Sequence, residues 1–453
     1  MAGADTARRF VTALTTLQGA QTLPGPSWLQ QARADGIARF GAGGLPTPRR
    51  EAWKYTSLAP LLGTTFSAPQ APSADRPLAR DLRGLVQAYH PATDDPTVLT
   101  FVNGHHQADH SHIGRLPDKV VVGALRSAAV THAAALRPHL GAIATFGDDS
   151  HAFVALNTGF LDDGAVVLVP DGVVVPYPIN VLHVTTRPTT PTAIHPRTLV
   201  VLGRGSQARV VERFASLGQG AYLCNAVTEA DVGPGAVLQH TKLQNDSERA
   251  YHLSTLAIRQ RRDSSVTCHL TSIGAALARN ETTVMLNEPG ASVRLDGLYL
   301  ARGTQHVDNQ LSVEHVAGSC TSDQLYKGVL DGKASAVFNG RVHVRKDAQR
   351  TDAHQANRNL LLSTQASINT KPQLEIFAND VKCSHGATIG QLDIDALFYL
   401  RARGVPLEEA RAILTLAFAS DVLERETDGH YRTFAELLLT TWLAQATAPG
   451  VLA

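Results

Sequence analysis

Cysteine is scarce in this chain of 453 residues, and the four that occur are Cys224, Cys268, Cys320 and Cys383. No two of them form a C-x-x-C pair, which excludes the usual spacing of zinc fingers and thioredoxin-like redox sites. Four cysteines in a chain this long do not make a disulfide framework and favour a reducing compartment. The expected location is the cytoplasm.

An excess of one sign of charge is also missing, because 41 Lys and Arg residues balance 40 Asp and Glu residues, for a formal net charge of +1. Proteins that bind nucleic acid usually carry a basic excess, so no nucleic-acid partner is expected. No run of about 20 apolar residues is present, so no membrane span is expected. Residues 1–9 carry both signs of charge and lead into no apolar signal-peptide core.

Several catalytic motifs are absent too. The sequence contains no G-x-x-x-x-G-K-[ST] phosphate loop, no G-x-G-x-x-G after a strand-like segment and no nucleophile elbow. We therefore expect a chain that binds no nucleotide and is not an enzyme. Aromatic residues, which line glycan-binding surfaces, make up only 6% of the chain.

Segments with similar starts recur through the middle of the chain, at Gly205, Gly235, Asp263, Gly290 and Gly318. The separations between them are 30, 28, 27 and 28 residues. Within each period, Val, Leu, Ile and Thr alternate with polar residues, as in half-buried strands. Two short strands and two turns occupy about 28 residues, whereas a propeller blade needs about 40–50. The pattern predicts a mainly β protein, a parallel β-helix whose coils contribute strands to two facing sheets.

The patterns divide the chain into three regions. Residues 1–150 are predicted to be mixed and largely helical, residues 151–393 to form the β-helix core, and residues 394–453 to form a compact helical domain. Gly404 ends one C-terminal helix, and Pro406 stands near the start of the next. We expect the C-terminal helices to cover the end of the β-helix, because a stack of coils needs covered ends.

The most informative local motif places a thiol and an imidazole two positions apart, at Cys383 and His385. Alternate side chains share one face in extended backbone, so Lys382 and Ser384 would face away. Thiolate and imidazole together suit zinc or iron–sulfur chemistry, but two ligands complete neither kind of site, and the others would come from elsewhere. The alternative is that a buried apolar thiol and a hydrogen-bonded histidine simply end a strand.

Long segments of the chain resemble the SufB/SufD family, the iron–sulfur cluster assembly scaffold proteins of the SUF system. The similar segments are residues 50–56, 338–342, 348–349, 355–357, 360–362 and 369–378, the Cys383/His385 motif and residues 397–404. The resemblance implies a right-handed parallel β-helix with helical terminal regions. It also implies a SufB paralogue as partner, and SufC ATPase subunits docked on the C-terminal helices. His385, with Cys383 nearby, would bind a transient iron–sulfur cluster shared with the partner subunit.

Two positions place the resemblance on the SufD branch. SufB-like chains carry Arg-Cys-Asp where this chain has Arg358-Asn359-Leu360, and His-Glu-Ala-Thr where it has residues 385–388. Asn359 cannot accept sulfur from a persulfide donor, and Gly386 supplies no carboxylate. The resemblance therefore implies the partner subunit, not the sulfur-receiving one.

Two other functions stay open from the sequence. The chain could be a SufB-type scaffold that acts as a homodimer, and unpaired solenoid edges would also allow the isolated chain to form a homodimer. It could instead be a polysaccharide-active enzyme, which would need converging carboxylates such as Asp296, Asp308 and Asp323.

Simpler structural roles are expected for the other conspicuous side chains. Cys224, Cys268 and Cys320 lie in alternating strand patterns, which favours core packing. The adjacent Cys268 and His269 would face opposite sides of a strand and could not share a metal. Trp53 is expected to pack the N-terminal region against the solenoid. The pair His105 and His106 is interpreted as part of a solvated turn between strands.

Overall fold

The computed structural model describes residues 2–21, 23–69, 76–89, 95–145, 151–186 and 190–447. Within these residues the α-helices are α1 (Ala2–Gly19), α2 (Ser27–Gly43), α3 (Ala59–Leu62), α4 (Arg76–Ala88), α5 (Leu125–Thr131), α6 (Ala133–Leu136), α7 (Ala152–Gly159), α8 (Ile394–Ala402), α9 (Leu407–Leu423) and α10 (Gly429–Thr447). None of these helices is long and apolar enough to cross a lipid bilayer.

The strands of the same described residues are divided between two sheets. They are β1 (Thr97–Val102), β2 (His105–His106), β3 (Val121–Ala124), β4 (Gly164–Val169), β5 (Ile179–Thr185), β6 (Thr192–Ile194), β7 (Arg197–Leu202), β8 (Gln207–Ser216), β9 (Tyr222–Val232), β10 (Val237–Asp246), β11 (Tyr251–Gln260), β12 (Ser265–Gly274), β13 (Leu277–Leu286), β14 (Ser292–Ala301), β15 (His306–His315), β16 (Thr321–Leu330), β17 (Ser335–Val344), β18 (Thr351–Leu361), β19 (Ser367–Ile376) and β20 (Val381–Gly390).

The strand order is that of a parallel β-solenoid, as predicted. Sheet 1 has the order β2-β1-β5-β8-β10-β12-β14-β16-β18-β20, and sheet 2 has the order β19-β17-β15-β13-β11-β9-β7-β4-β3, with β6 beside β9. From β8 onward the chain enters the two sheets in turn. Val237 lies opposite Gln207 and Ser265 lies opposite Val237, so one coil of the solenoid corresponds to one sequence repeat.

The solenoid interior is formed by alternate side chains of both sheets. One column of sheet 1 stacks Ala208, Leu238, Val266 and Val293 in register, all buried in the same apolar core. Cys224, Cys268 and Cys320 are buried in that core, which confirms the predicted packing role. Strands β1, β2 and β3 precede residue 151, so the N-terminal region adds to both sheets, and the domain boundaries stay a prediction.

The N-terminal region is anchored to sheet 2 through Trp53, as predicted. The indole is buried, and the guanidinium carbon of Arg279 on β13 lies 3.7 Å from its ring centroid. Arg279 also donates to the carbonyl oxygen of Ala52 at 2.9 Å and pairs with the buried Asp308. The hydroxyl of Thr56 donates to the same Asp308 carboxylate at 2.5 Å. These contacts join segments that are more than two hundred residues apart in sequence.

The expectation that the C-terminal helices cover the end of the solenoid is wrong. Helices α9 and α10 pack instead along the outer face of sheet 1, against side chains such as Leu243, Ile273 and Leu298. Tyr431 on α10 contacts His269 with ring centroids 5.7 Å apart. The physical reason is that this outer face is itself apolar, and a large apolar surface is unfavourable in water unless another element covers it.

Candidate functional site

The C-terminal end of the solenoid is formed by β19 and β20, the last strands of their sheets. Among the described residues, no strand pairs with their outer edges. An unpaired edge exposes a row of backbone N–H and C=O groups that another chain can pair with. We call this surface, the outer edges of β19 and β20, the open end of the solenoid.

Cys383 and His385 lie on β20 and share the face that points into the solenoid. Cys383 lies opposite Ala353 and His385 lies opposite Gln355 on β18. The side chain of Cys383 is half-buried against the apolar residues of the last coil, and His385 is exposed. Ser384 points to the other face, where its hydroxyl lies 2.7 Å from Nδ1 of His354. The structure therefore places the two sequence-predicted ligands side by side, within reach of a second molecule.

The thiol of Cys383 is not activated by its surroundings. Burial and the nearby carboxylate of Asp352 raise its pKa above the usual value. A metal that binds this sulfur must therefore displace a proton, and binding couples to proton release. Within the described residues, no three His, Cys, Asp or Glu side chains form a group that could hold a metal ion. Among the described residues, Cys383 and His385 thus offer only part of a metal site.

Beneath His385 lies a polar side chain that sequence reasoning did not single out. Gln355 is only 3% exposed, and its Nε2 donates to Oε1 of Gln324 at 2.9 Å. Its Oε1 finds no hydrogen-bond partner among the described residues. The signal in the sequence was the coil period, because Gln355 precedes His385 by one coil and therefore lies next to it.

Exposed apolar side chains surround the open end. Ile376 is the last residue of β19 and Phe377 follows it; they are 38% and 61% exposed, and Ile389 on β20 is 51% exposed. Helix α8, which comes directly after β20, exposes Ile394, Phe398 and Tyr399. Exposed large apolar side chains in such numbers are typical of protein–protein contact surfaces.

A buried polar network in the solenoid interior was also missed by the sequence analysis. Glu212 on β8 accepts hydrogen bonds from Thr198, Thr228 and His240 at 2.6–2.8 Å. Burial is the largest single effect and raises the pKa of Glu212, but the hydrogen bonds from His240 and Thr198 and the charge interaction with His240 together outweigh it, and the pKa falls to about 2. Nearby, burial lowers the pKa of Lys242 to about 8.

The paired histidines at 105 and 106 and the neighbouring Cys268 and His269 lie in ordinary structural positions. The turn in the N-terminal hairpin is formed by Asn103 and Gly104, both with positive φ, and the paired histidines form β2 after it. Cys268 faces the core while His269 faces α10, so the two point to opposite sides as predicted.

The three carboxylates considered for glycan cleavage do not form one open site, because Asp296 and Asp323, both on sheet 1, pair with Arg425 whereas Asp308 lies on sheet 2. Asp308 is buried beneath the N-terminal region in its pair with Arg279. Asp296 is 1% exposed beneath the loop between α9 and α10, where it pairs with Arg294 and Arg425 at 3.0 and 3.1 Å. Asp296 and Asp308 are held in ion pairs under other elements and the half-exposed Asp323 pairs with Arg425, so the three do not form an open catalytic pair.

The fold and the open end together define a class of protein: a parallel β-solenoid with two metal-ligand side chains at a strand edge that a second subunit can reach. A family model described as "SUF system FeS cluster assembly, SufBD core domain" matches residues 183–418, and one described as "SufBD protein N-terminal region" matches residues 20–181. The chain belongs to the SufBD family of iron–sulfur cluster assembly proteins.

Similar proteins cover most of the chain. An iron–sulfur cluster assembly SufBD family protein of Synechocystis is 34% identical over 391 residues, 84% of this chain and 84% of the relative. The iron–sulfur cluster assembly protein SufD of Escherichia coli is 30% identical over 387 residues, 85% of this chain and 86% of the relative. SufD of Bacillus subtilis is 25% identical over 401 residues, 88% of this chain and 90% of the relative.

Proposed function

We propose that this chain is a SufD-type scaffold subunit that contributes His385 and Cys383 to a nascent iron–sulfur cluster at a subunit interface. The observation that carries the proposal is the position of these two side chains on the inward face of β20, the strand with an unpaired outer edge. The cluster is the cargo of the assembly, not a permanent cofactor of the chain. The chain works as a scaffold and performs no catalytic step of its own.

The second half of the site comes from a SufB-type paralogue. Iron–sulfur clusters usually take about four protein ligands, and the described residues offer two at the open end. The unpaired edges and the exposed Ile376, Phe377 and Ile389 provide the contact surface for such a partner. A cluster held by few ligands from two chains can leave when the subunits move apart, which is what a scaffold requires.

The energy source is a SufC-type ATPase that docks on the C-terminal helices. The sequence carries no phosphate-binding loop of its own. Helix α8 presents Ile394, Phe398 and Tyr399 to solvent directly after the strand that carries His385. Movement of a partner bound there would be transmitted to the open end through a short connection.

A homodimer that works as a SufB-type scaffold is less well supported. Asn359 is 2% exposed inside the solenoid, where it is hydrogen-bonded to Asn357 and Tyr299. An amide at that position cannot carry sulfur, so a pair of identical chains would lack the sulfur acceptor. A polysaccharide-active enzyme is disfavoured by the buried ion pairs of Asp296 and Asp308.

The test is co-expression of the chain with its SufB-type and SufC-type partners, followed by anaerobic reconstitution and measurement of iron and sulfide per complex. We expect His385→Ala to leave the complex assembled and to remove most of the cluster. His354→Ala is the matched control, because this histidine is on the neighbouring strand but belongs to the opposite face. A His385→Ala complex with the cluster content of the wild type would overturn the proposal. Failure of the partners to co-purify would also contradict it.

A further inference from the structure

We propose that Gln355 is the positioning residue of His385: its carboxamide oxygen accepts the N–H of the imidazole and leaves the other ring nitrogen free to bind iron. This inference rests on the proposed role of His385 in cluster binding. It assigns a function to a buried side chain that does not touch the cluster itself.

The first argument is position. Gln355 and His385 are register partners on β18 and β20, and both side chains point into the solenoid. Neighbouring strands are about 4.8 Å apart, so the two side chains occupy adjacent layers of the interior. No other strand lies beyond β20 among the described residues, and Gln355 therefore forms the protein layer directly beneath the imidazole.

The second argument is an unmet hydrogen bond. Gln355 is only 3% exposed, yet its Oε1 has no hydrogen-bond partner among the described residues. Buried polar atoms are nearly always hydrogen-bonded, because burying one without a partner costs free energy. An acceptor left unpaired directly beneath a ligand residue is accounted for if the imidazole donates to it.

The third argument is that the carboxamide is held in place from the other side. Its Nε2 donates to Gln324, one coil deeper in the solenoid. Across the interior it lies against Gly340 on β17, where a Cβ atom would overlap the amide. The glycine therefore leaves room for this amide, and the side chain has little freedom to turn away.

The chemical consequence is control of the tautomer of His385. A neutral imidazole binds metal through one nitrogen and carries its proton on the other. A fixed acceptor for that N–H orients the ring and makes the ligand more basic, and loss of such an acceptor typically weakens metal binding by about 10- to 100-fold. If the side chain at position 355 served only to pack the interior, an apolar residue would suffice, as the buried Leu295 does in the same column of sheet 1.

The experiment uses the complete complex with its partner subunits, loaded with cluster under anaerobic conditions. The variants are Gln355→Met, which keeps the side-chain length without an acceptor, and Gln355→Glu, which keeps an acceptor. Gln260→Met is the matched control, because Gln260 is also a buried glutamine whose Oε1 has no partner among the described residues, but it lies on β11, away from the open end. Each complex is measured for iron retention against a chelator, and by electron spin-echo spectroscopy of the reduced cluster.

The spectroscopic signal is the quadrupole coupling of the ring nitrogen that does not bind iron, because this coupling depends on the hydrogen bond of its N–H. We expect Gln355→Met to shift the coupling and to lower iron retention by on the order of ten-fold. We expect Gln355→Glu to retain the cluster and to shift the coupling in the opposite direction, since a carboxylate is the stronger acceptor. Gln260→Met should match the wild type in both measurements.

Unchanged nitrogen coupling and iron retention in Gln355→Met would overturn the inference. Equal losses in Gln355→Met and Gln260→Met, with matching losses of thermal stability, would show a packing role and would also overturn it. If Gln355→Met fails to assemble, an unshifted coupling in Gln355→Glu overturns the inference by itself. His385→Ala separates the two proposals. If that variant loses the cluster while both Gln355 variants behave like the wild type, the proposed function is supported and the role of Gln355 is refuted.

Discussion

Tyr299 on β14 lies directly over Gly328 on β16, its register partner in the next coil. The phenol ring occupies the space that a Cβ atom of residue 328 would need, and its hydroxyl donates to Oδ1 of Asn359 at 2.5 Å. The absence of a side chain at Gly328 thus leaves room for the Tyr299 ring. Through this ring and its hydrogen bond to Asn359, β14 and β18 are linked across the coil that lies between them.

Gly328→Ala should therefore destabilise the protein by about 1–3 kcal/mol, because the added methyl overlaps the ring and the packed interior leaves it nowhere to go. Denaturant unfolding measures the change. Gly390→Ala is the control, since no atom lies within 4 Å of the Cβ position at that glycine and the substitution should be nearly neutral. Equal stability of both variants would show that the Tyr299 ring moves aside freely.

Replacing Trp53 should release the N-terminal helices from sheet 2. Trp53→Ala removes a buried indole from beneath Arg279, at a cost of about 3–5 kcal/mol. Hydrogen exchange should rise in α1 and α2 while the strands of the solenoid stay protected. Trp53→Phe keeps an aromatic ring and should lose much less. Uniform loss of protection throughout the chain would mean that the anchor is not local.

Lys327 should hold α9 against the solenoid. Its buried Nζ donates to the carbonyl oxygen of Phe418 at 2.6 Å and pairs with Asp421. Lys327→Met keeps the aliphatic stem but loses a charged hydrogen bond, so the expected loss is about 1.5–3 kcal/mol. Limited proteolysis should then cut the loop after α9 sooner. The exposed Lys346→Met is the control, and similar cleavage of both variants would refute the role.

The Glu212 network should make stability depend on pH. The folded pKa of about 2 lies below the ordinary value of 4.5 for a glutamate, so the ionised carboxylate stabilises the fold above pH 4.5 and this stabilisation is lost as pH falls toward 2. Glu212→Gln should lower the unfolding free energy at pH 7 by on the order of 3 kcal/mol.

The difference in unfolding free energy between Glu212→Gln and the wild type should shrink as the pH is lowered from 4.5 toward 2. Urea unfolding at several pH values measures this difference. The exposed Glu408→Gln should show no such trend. A difference in unfolding free energy that does not change with pH would mean that ionisation of Glu212 does not contribute to stability.

Phe398 is the sharpest probe of the proposed ATPase contact, because it is 73% exposed on α8. Phe398→Ala should weaken binding of a SufC-type subunit by roughly ten-fold or more, as for a central aromatic of an interface. Titration calorimetry or surface plasmon resonance measures the affinity. Tyr177→Ala, another exposed aromatic outside the C-terminal helices, should bind like the wild type. Equal affinity of the two variants would place the contact elsewhere.

Much of the architecture was predictable because it depends on local, repeating patterns. The repeat of about 28 residues predicted coils of two strands, and the register of β8, β10 and β12 follows it. Gly404 and Pro406 marked the gap between α8 and α9 correctly, since helix ends are set by residues near them. Alternation along an extended strand likewise placed Cys383 and His385 on one face.

The course of the C-terminal helices was not predictable in the same way. Their apolar stripes show that each helix needs a partner surface, but a stripe does not say which one. Only the assembled sheet shows that Leu243, Ile273 and Leu298, from three different coils, form one apolar face. The helices cover that face and leave the end of the solenoid free.

The sequence by itself determined the coil period, the ends of the C-terminal helices and the shared face of the thiol and imidazole, because each depends on residues a few positions apart. Tertiary structure alone decided that β20 keeps an unpaired edge, that Gln355 lies beneath His385 and that Glu212 meets His240. Those relationships depend on which coil lies next to which, and on how far each side chain reaches across the interior. That information emerges only when distant segments are stacked in register.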